Sequence, residues 1–452
     1  MVIDPTRSLK QRAMQAGAWT LGGHAFGQAI RLASNLIMTR LLVPEMFGVM
    51  AIASMVLVGL SFISDIGTRQ SVVQSTRGDD PDFLNTVWVV QIVRGAVICL
   101  IGLLSSLGLF LAAGAGWFPA HTVYAHPSLP LVLAFISFTE LIAGFQSTRM
   151  ATASRNLLQQ RLTYIEIVSQ IIGILTMVTW ALFDKSIWAL VAGGLVSSLV
   201  KTVSSFVLIP GQSNQWMIDK SALHEILHFG KWVLLSSTLG FLVINGDRLL
   251  LGGLIDTDDL GVYVIAYFIA SSMTQVVSKL MGNVAFPVLS ATARTNPEKL
   301  SETYYKFRFP VDISLLFLSG LFFEAGRYAI YFLYDARYAE AGSMLQILSL
   351  TLIAFRYNVV DECFLALGKP KLLSALILVR VAVMFTLVPI AYHEYQISGA
   401  LWAIVASAFS SIPLTFYFKK KLNLLDVRRE LIVLPIFFIG MGAGFILEKL
   451  VA

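Results

Sequence analysis

Charge is scarce in this sequence: Asp, Glu, Lys and Arg make up 13% of its 452 residues, whereas 56% are hydrophobic. A soluble globular chain carries about 25% charged residues, so this one lacks the polar surface a water-soluble fold of its length would need. Cysteine is almost missing. Cys99 and Cys363 are the two present, in separate apolar runs and without metal-ligand spacing, which leaves them as small packing residues. Long polar connectors are missing too, so no separate soluble domain is expected. No Walker A loop, Gly-x-Gly-x-x-Gly fingerprint or Gly-x-Ser-x-Gly elbow occurs, which removes the sequence basis for ATP hydrolysis, dinucleotide chemistry or a serine hydrolase.

What the chain has instead is apolar length. Thirteen runs recur, at 16–41, 47–66, 84–111, 129–145, 162–183, 187–209, 232–254, 260–285, 311–333, 341–367, 372–392, 397–418 and 431–447. A hydrocarbon core about 30 Å thick needs roughly 20 apolar residues per helix. Runs as unbroken as 96–111 exclude the alternation of barrel strands, so the backbone must satisfy itself as helix. The polar start, with Arg7, Lys10 and Arg12, leads into a first run without a convincing cleavage site; that run is expected to stay as a signal anchor.

The basic residues fall unevenly between the runs. One set of alternate connectors holds 21 Lys and Arg, the other only Arg40, Lys185, Arg337 and Lys449. Basic connectors remain in the cytoplasm, which predicts a cytoplasmic N-terminus. The net charge of +6 is therefore a topology signal and gives no reason to expect nucleic acid as a partner.

A shift of 213 residues superimposes the chain on itself without gaps. Gly17, Trp19, Leu21, Gly27, Gly48, Val49, Ile52 and Ala53 then fall on Gly230, Trp232, Leu234, Gly240, Gly261, Val262, Ile265 and Ala266. The polar breaks 43–46 and 256–259 coincide. Six runs separate the copies, an even number, so both halves run in the same direction. The repeat predicts an all-α integral membrane fold of two pseudo-symmetric six-helix bundles, 1–209 and 210–420, around a central cavity. Residues 421–452 then add one C-terminal transmembrane helix. In transporters built on such parallel repeats the substrate path lies between the halves.

Particular residues carry a family resemblance. The first half reads Thr39-Arg40-Leu41-Leu42-Val43-Pro44-Glu45-Met46-Phe47-Gly48, then Asp65-Ile66-Gly67, Phe83-Leu84-Asn85-Thr86-Val87-Trp88 and Arg94-Gly95. The second half answers with Asn245-Gly246-Asp247-Arg248, Leu260-Gly261-Val262-Tyr263 and Phe286-Pro287-Val288-Leu289-Ser290. The chain resembles the polysaccharide-transport (Wzx-type) family of oligosaccharide flippases, in the MOP superfamily that also holds multidrug MATE exporters and lipid II flippases. That resemblance implies a bacterial inner-membrane protein that moves an oligosaccharide on a polyprenyl pyrophosphate from the cytoplasmic to the periplasmic leaflet, for lipopolysaccharide or exopolysaccharide synthesis. It implies no cofactor. The partners would be the lipid-linked oligosaccharide, membrane lipid, a polysaccharide polymerase and glycosyltransferases. A multidrug cation antiporter of the same superfamily and a membrane glycosyltransferase or polymerase are the alternatives. A basic cavity disfavours cationic cargo, and the longest outward connector, 112–128, holds no carboxylate for catalysis.

Eight basic residues lie inside the runs: Arg31, Arg94, Lys201, Arg248, Lys279, Arg327, Arg356 and Arg380. Each costs about 2.5–3.5 kcal/mol at mid-bilayer on insertion scales, so most must face protein or water. The candidates for a cationic, pyrophosphate-binding cavity are Arg31, Arg94, Arg248, Lys279, Arg356 and Arg380, since a guanidinium fork matches phosphate oxygens. Structural pairing with intramembrane acids is the competing reading. Glu140 and Asp247 are the candidates for coupling an ion. The segment His224-Glu225-Ile226-Leu227-His228 matches the zinc-protease pattern. It has no recognisable third ligand and reads, with Leu223 and Phe229, as an amphipathic lead-in to the next span; no metal is expected there.

The charge pattern makes a topology test. Single cysteines at Ser128 and Ser398, in a chain lacking Cys99 and Cys363, should be labelled from outside intact cells. Cysteines at Thr152 and Asn423 should not. External labelling of Asn423→Cys would break the twelve-span core.

Overall fold

Each of the thirteen expected runs is helical over most of its length in the computed structural model, which describes residues 9–451 except positions 66, 76 and 157. Among the described residues every regular element is a helix. In chain order these are α1 (Leu9–Leu41), α2 (Pro44–Ile63), α3 (Thr68–Gln74), α4 (Pro81–Gly114), α5 (Ser128–Gly144), α6 (Arg149–Arg155), α7 (Gln159–Phe183), α8 (Trp188–Val207) and α9 (Lys220–Leu251). There follow α10 (Thr257–Leu280), α11 (Phe286–Thr295), α12 (Leu300–Leu333), α13 (Glu340–Ser349), α14 (Thr351–Phe355) and α15 (Val359–Ala366). The last four are α16 (Pro370–Ser410), α17 (Ile412–Lys421), α18 (Val427–Leu431) and α19 (Pro435–Val451).

Nine helices among the described residues are long and apolar enough to cross a membrane, or ten if α5 and α6, bent by 63°, count as one broken span. The difference from thirteen has physical causes. Residues 371–421 count as one segment, yet the backbone leaves the helix at Tyr395 and at Gln396, whose φ is 53°. That break falls between the runs expected at 372–392 and 397–418. Helix α1 carries polar residues along its length, among them His24, Gln28 and Arg31; the side chains at 227–237 of α9 lie outside the described residues.

The ends of helices follow the local chemistry. Pro44, Pro81, Pro370 and Pro435 open their helices, where a missing N–H costs nothing. Asp80, Asp256 and Asp426 cap α4, α10 and α18 by accepting from backbone N–H groups. Arg155 donates to the carbonyls of Val72, Val73 and Ser75 at the end of α3, and Arg149 to those of Phe206, Ile209 and Gln212 after α8. Cations there satisfy carbonyls that the helix leaves unpaired. Arg77 bridges Asp80 and Asp219, each at 2.8 Å, and its guanidinium holds the Asp219 carboxyl well below the usual carboxylate range.

The chain forms two compact units, Met1–Leu42 with Val49–Phe241, and Val43–Gly48 with Leu242–Ala452. The division falls inside α9, beyond the connector at 209–210 where the repeat places it. Ala222 and Ile226 at the start of α9 bury against Phe83, Leu84 and Val87 in the first unit, whereas Asp247 near its end bonds to Tyr263 in the second. The core of the second unit runs through Val277, Leu289, Leu315, Val360, Cys363 and Phe364. Both cysteines are free and buried. The side chains at repeat positions 21, 232 and 234 lie outside the described residues.

Two close approaches depend on glycine. In the second unit a Cβ on Gly48 would collide with the carbonyl of Thr257, and one on Gly261 with the carbonyl of Pro44. The 213-residue shift carries Pro44 onto Thr257 and Gly48 onto Gly261, so the contact joins equivalent positions of the repeat reciprocally. Gly320 of α12 and Gly440 of α19 meet the carbonyls of Phe437 and Phe317 in the same way. Small residues let backbones approach where lipid supplies no hydrophobic drive between helices. Gly48→Ala and Gly261→Ala should each destabilise the protein by about 1–3 kcal/mol through overpacking. Gly108→Ala in α4, with nothing within 4 Å of its added Cβ, should be neutral or slightly stabilising. Thermal unfolding in detergent would compare them.

Candidate functional site

Most of the six candidate cations are engaged by protein groups within their own unit. On α4, Arg94 donates through Nε to the Ser64 carbonyl at 2.9 Å and through Nη2 to the Ser61 carbonyl at 2.7 Å. It thereby caps the end of α2. Glu140 is half-buried on α5 and interacts electrostatically with Arg94. Neighbouring residues on α9 turn to different partners. Arg248 donates to Asn245 at 3.1 Å and lies 4.2 Å from the Tyr267 ring centroid; Asp247 accepts a short bond from the Tyr263 hydroxyl. Arg380 on α16 is held by Ser411 at 2.7 Å and Asn358 at 2.6 Å.

Arg356 lies in a feature that sequence reasoning missed. Five charged side chains of the second unit, Arg308, Asp312, Arg356, Lys419 and Glu430, are 0–3% exposed. Glu430 Oε1 is their shared acceptor. It takes bonds from Arg308 Nη1 at 2.5 Å, from the Tyr305 hydroxyl at 2.8 Å and from Lys419 Nζ. Arg308 Nε also reaches Asp312 Oδ1, one helical turn away, at 3.2 Å. Arg356 Nη1 and Nη2 lie 3.6 Å from Asp312 Oδ2 and 3.8 Å from Glu430 Oε2. Arg308 and Arg356 both stack on the Tyr357 ring, at 4.7 and 4.6 Å from its centroid.

Local structure explains how these groups meet. Tyr304, Arg308 and Asp312 follow at four-residue spacing on one face of α12. That helix begins at Leu300 and continues through Pro310, eleven residues before the expected run. A short 3-10 turn, Arg356–Asn358, interrupts the tenth run and presents Arg356. Asn423, at φ 54°, turns the chain after α17, so Glu430 on α18 folds back onto Lys419. By sequence Arg308 and Lys419 fall in the basic connectors; the structure buries both completely. The available signal was the Tyr-x-x-x-Arg-x-x-x-Asp spacing from 304 to 312, which stacks a phenol, a cation and an acid on one helix face.

Two candidates remain outside this bonding. Arg31 on α1 and Lys279 in the last turn of α10 are exposed, and among the described residues neither makes a hydrogen bond or an ion pair. Lys279 lies just before a π-helical turn, Met281–Ala285, a distortion often found at functional positions. In the zinc-protease pattern His224 and Glu225 are exposed, and Glu225 accepts from Ser75 at 2.6 Å. The side chain of His228 lies outside the described residues. Among the described residues no three His, Cys, Asp or Glu side chains group as metal ligands.

This architecture is that of a multi-pass helical membrane protein whose candidate cations are mostly held by protein groups. Residues 37–341 match the family model described as polysaccharide biosynthesis protein, and the chain belongs to that family. It is similar to the lipopolysaccharide biosynthesis protein WzxC of Escherichia coli (strain K12), 21% identical over 328 residues, covering 70% of this chain and 63% of that protein. It is also similar to the succinoglycan biosynthesis transport protein ExoT of Rhizobium meliloti (strain 1021), 22% identical over 285 residues, covering 63% of this chain and 55% of that protein. The chain thus spans less than two thirds of the length of either relative. Among solved structures, an inward-facing multidrug resistance MATE family transporter of the MOP superfamily aligns at a TM-score of 0.67 and 14% identity, covering 88% of this chain and 94% of that one. Lipid II flippase MurJ in an inward closed conformation aligns at 0.66 and 13%, covering 94% and 91%. These likenesses establish the fold.

The buried cluster and the free cations should respond differently to mutation. Glu430→Gln leaves three buried cations facing one carboxylate and should cost about 3–5 kcal/mol of stability. Arg31→Gln removes an exposed charge and should stay within about 0.5 kcal/mol of the parent. Equal unfolding temperatures for the two variants would contradict the assignment of Glu430 as the hub.

Proposed function

We propose that this protein is a flippase. It carries a polyprenyl-pyrophosphate-linked oligosaccharide from the cytoplasmic to the periplasmic leaflet of a bacterial inner membrane, by alternating access, for cell-surface polysaccharide synthesis. Family membership supports the pathway, and the names of WzxC and ExoT support lipopolysaccharide or exopolysaccharide as the product. The fold shared with a lipid II flippase supports a lipid-linked cargo. The observation that carries the reading is Arg31, an exposed cation in the interior of a spanning helix without a protein partner among the described residues. Lipid contact there would cost about 2.5–3.5 kcal/mol, so the charge faces water or cargo. A pyrophosphate gives it a use, because a guanidinium binds phosphate oxygens as a fork. Lys279 is the corresponding exposed cation of the second unit. Cys99 and Cys363 take no part, and the transfer needs no covalent step.

The internal repeat strengthens the case for Arg31. Its equivalent in the second half is Ile244, so the fold does not require a charge at this position. A hydrogen bond to a charged group is worth about 1.5–3 kcal/mol. Loss of the fork in Arg31→Ala should therefore reduce transport by roughly 10- to 150-fold. Normal insertion and expression should persist, lipid-linked oligosaccharide should accumulate in the cytoplasmic leaflet, and Arg31→Lys should recover only part of the activity. Normal export in Arg31→Ala would remove this residue from the binding site.

A further inference from the structure

The buried cluster around Glu430 carries an odd charge. Arg308, Arg356 and Lys419 bring three positive charges to a region closed to solvent, while Asp312 and Glu430 bring two negative ones. The hydrogen bonding shows the same imbalance. Arg308 Nη2, Arg356 Nε and Arg356 Nη1 are buried donors without an acceptor. On the acceptor side Glu430 Oε2 alone among these carboxylate oxygens is buried without a hydrogen bond, and it faces Arg356 Nη2 at 3.8 Å. Three buried donors thus stand against one free buried acceptor.

Neighbouring groups do not correct the count. Arg380 and Asp361 interact with each other, and Arg380 is already held by Ser411 and Asn358. The hydroxyls of Tyr304, Tyr305 and Tyr357 accept bonds from the cations and bring dipoles but no charge. Release of a proton from Lys419 would restore neutrality. It would not supply acceptors to the guanidiniums, which keep their protons. Buried charge that cannot titrate must be paired, and the missing partner is an acceptor with one negative charge. The cluster is wholly buried, which favours a small occupant over a lipid headgroup.

We propose that the Arg308–Arg356–Lys419 cluster holds one chloride-sized monovalent anion as a structural ligand of the second unit. This site is independent of the cargo. The purified full-length protein in detergent would be unfolded thermally while sodium chloride replaces sodium gluconate at constant ionic strength. Chloride should raise the unfolding temperature by about 3 °C, and bromide should substitute for it. Lys419→Met leaves two cations against two carboxylates and should lose the response. Asp312→Asn leaves three against one and should enlarge it. A purely structural ion cluster would lower the unfolding temperature in both variants while leaving their halide responses alike. Indifference of the parent protein to chloride, or an unchanged response in both variants, overturns the proposal. A stability that follows pH but not chloride assigns the odd charge to the Lys419 proton and overturns it as well.

Discussion

Three separate stretches of the second unit converge on the carboxylate of Glu430: α12 through Tyr305 and Arg308, α17 through Lys419, and the break in the tenth run through Arg356. A carboxylate so deep is tolerable only with several strong donors, and three cations are tolerable only with acceptors to share. Each member therefore fixes the others. Because Glu430 stands on α18, directly before α19, the same bonds fasten the C-terminal helix to α12. The Gly320–Gly440 approach then brings the two backbones into contact. The helix that lies outside the internal repeat is thus bonded into the second unit.

The same constraint sorts the remaining intramembrane charges. A cation within a spanning helix needs a partner, water or a ligand. Arg94 is held by the last carbonyls of α2, Arg248 in part by Asn245 and the Tyr267 ring, and Arg380 by Ser411 and Asn358. Such residues hold helices in place; of the three, Arg94 does so through backbone carbonyls. Arg31 and Lys279 are the candidates not used up by the fold among the described residues, which is why the proposed contact with a pyrophosphate rests on Arg31. The connectors show the same economy: Arg149 and Arg155, which signal topology by their charge, also close helix ends.

Much of the architecture was legible because hydrophobic length is a local property. A run of apolar residues between basic connectors is helical wherever it sits, since lipid offers its backbone no other partner. The repeat was legible for a related reason. Gly48 and Gly261 are retained at equivalent places because a side chain there would collide with the opposite strand of the reciprocal contact. Helix ends were read less well. Pro310 and the charges around it looked like a connector, yet α12 runs through them from Leu300.

The sequence by itself determined the helical membrane class, the positions of the runs, the asymmetry of basic connectors and the 213-residue repeat, because each follows from composition and spacing along the chain. Only the tertiary structure decided which charges are consumed. Arg308 and Arg356 are equally costly to bury by composition, and so are Arg31 and Lys279. Their fates diverge through partners 74 to 122 residues away, such as Glu430. No local pattern encodes a hydrogen bond across such a separation; it exists only once the helices have packed and excluded the water that would otherwise have satisfied both ends.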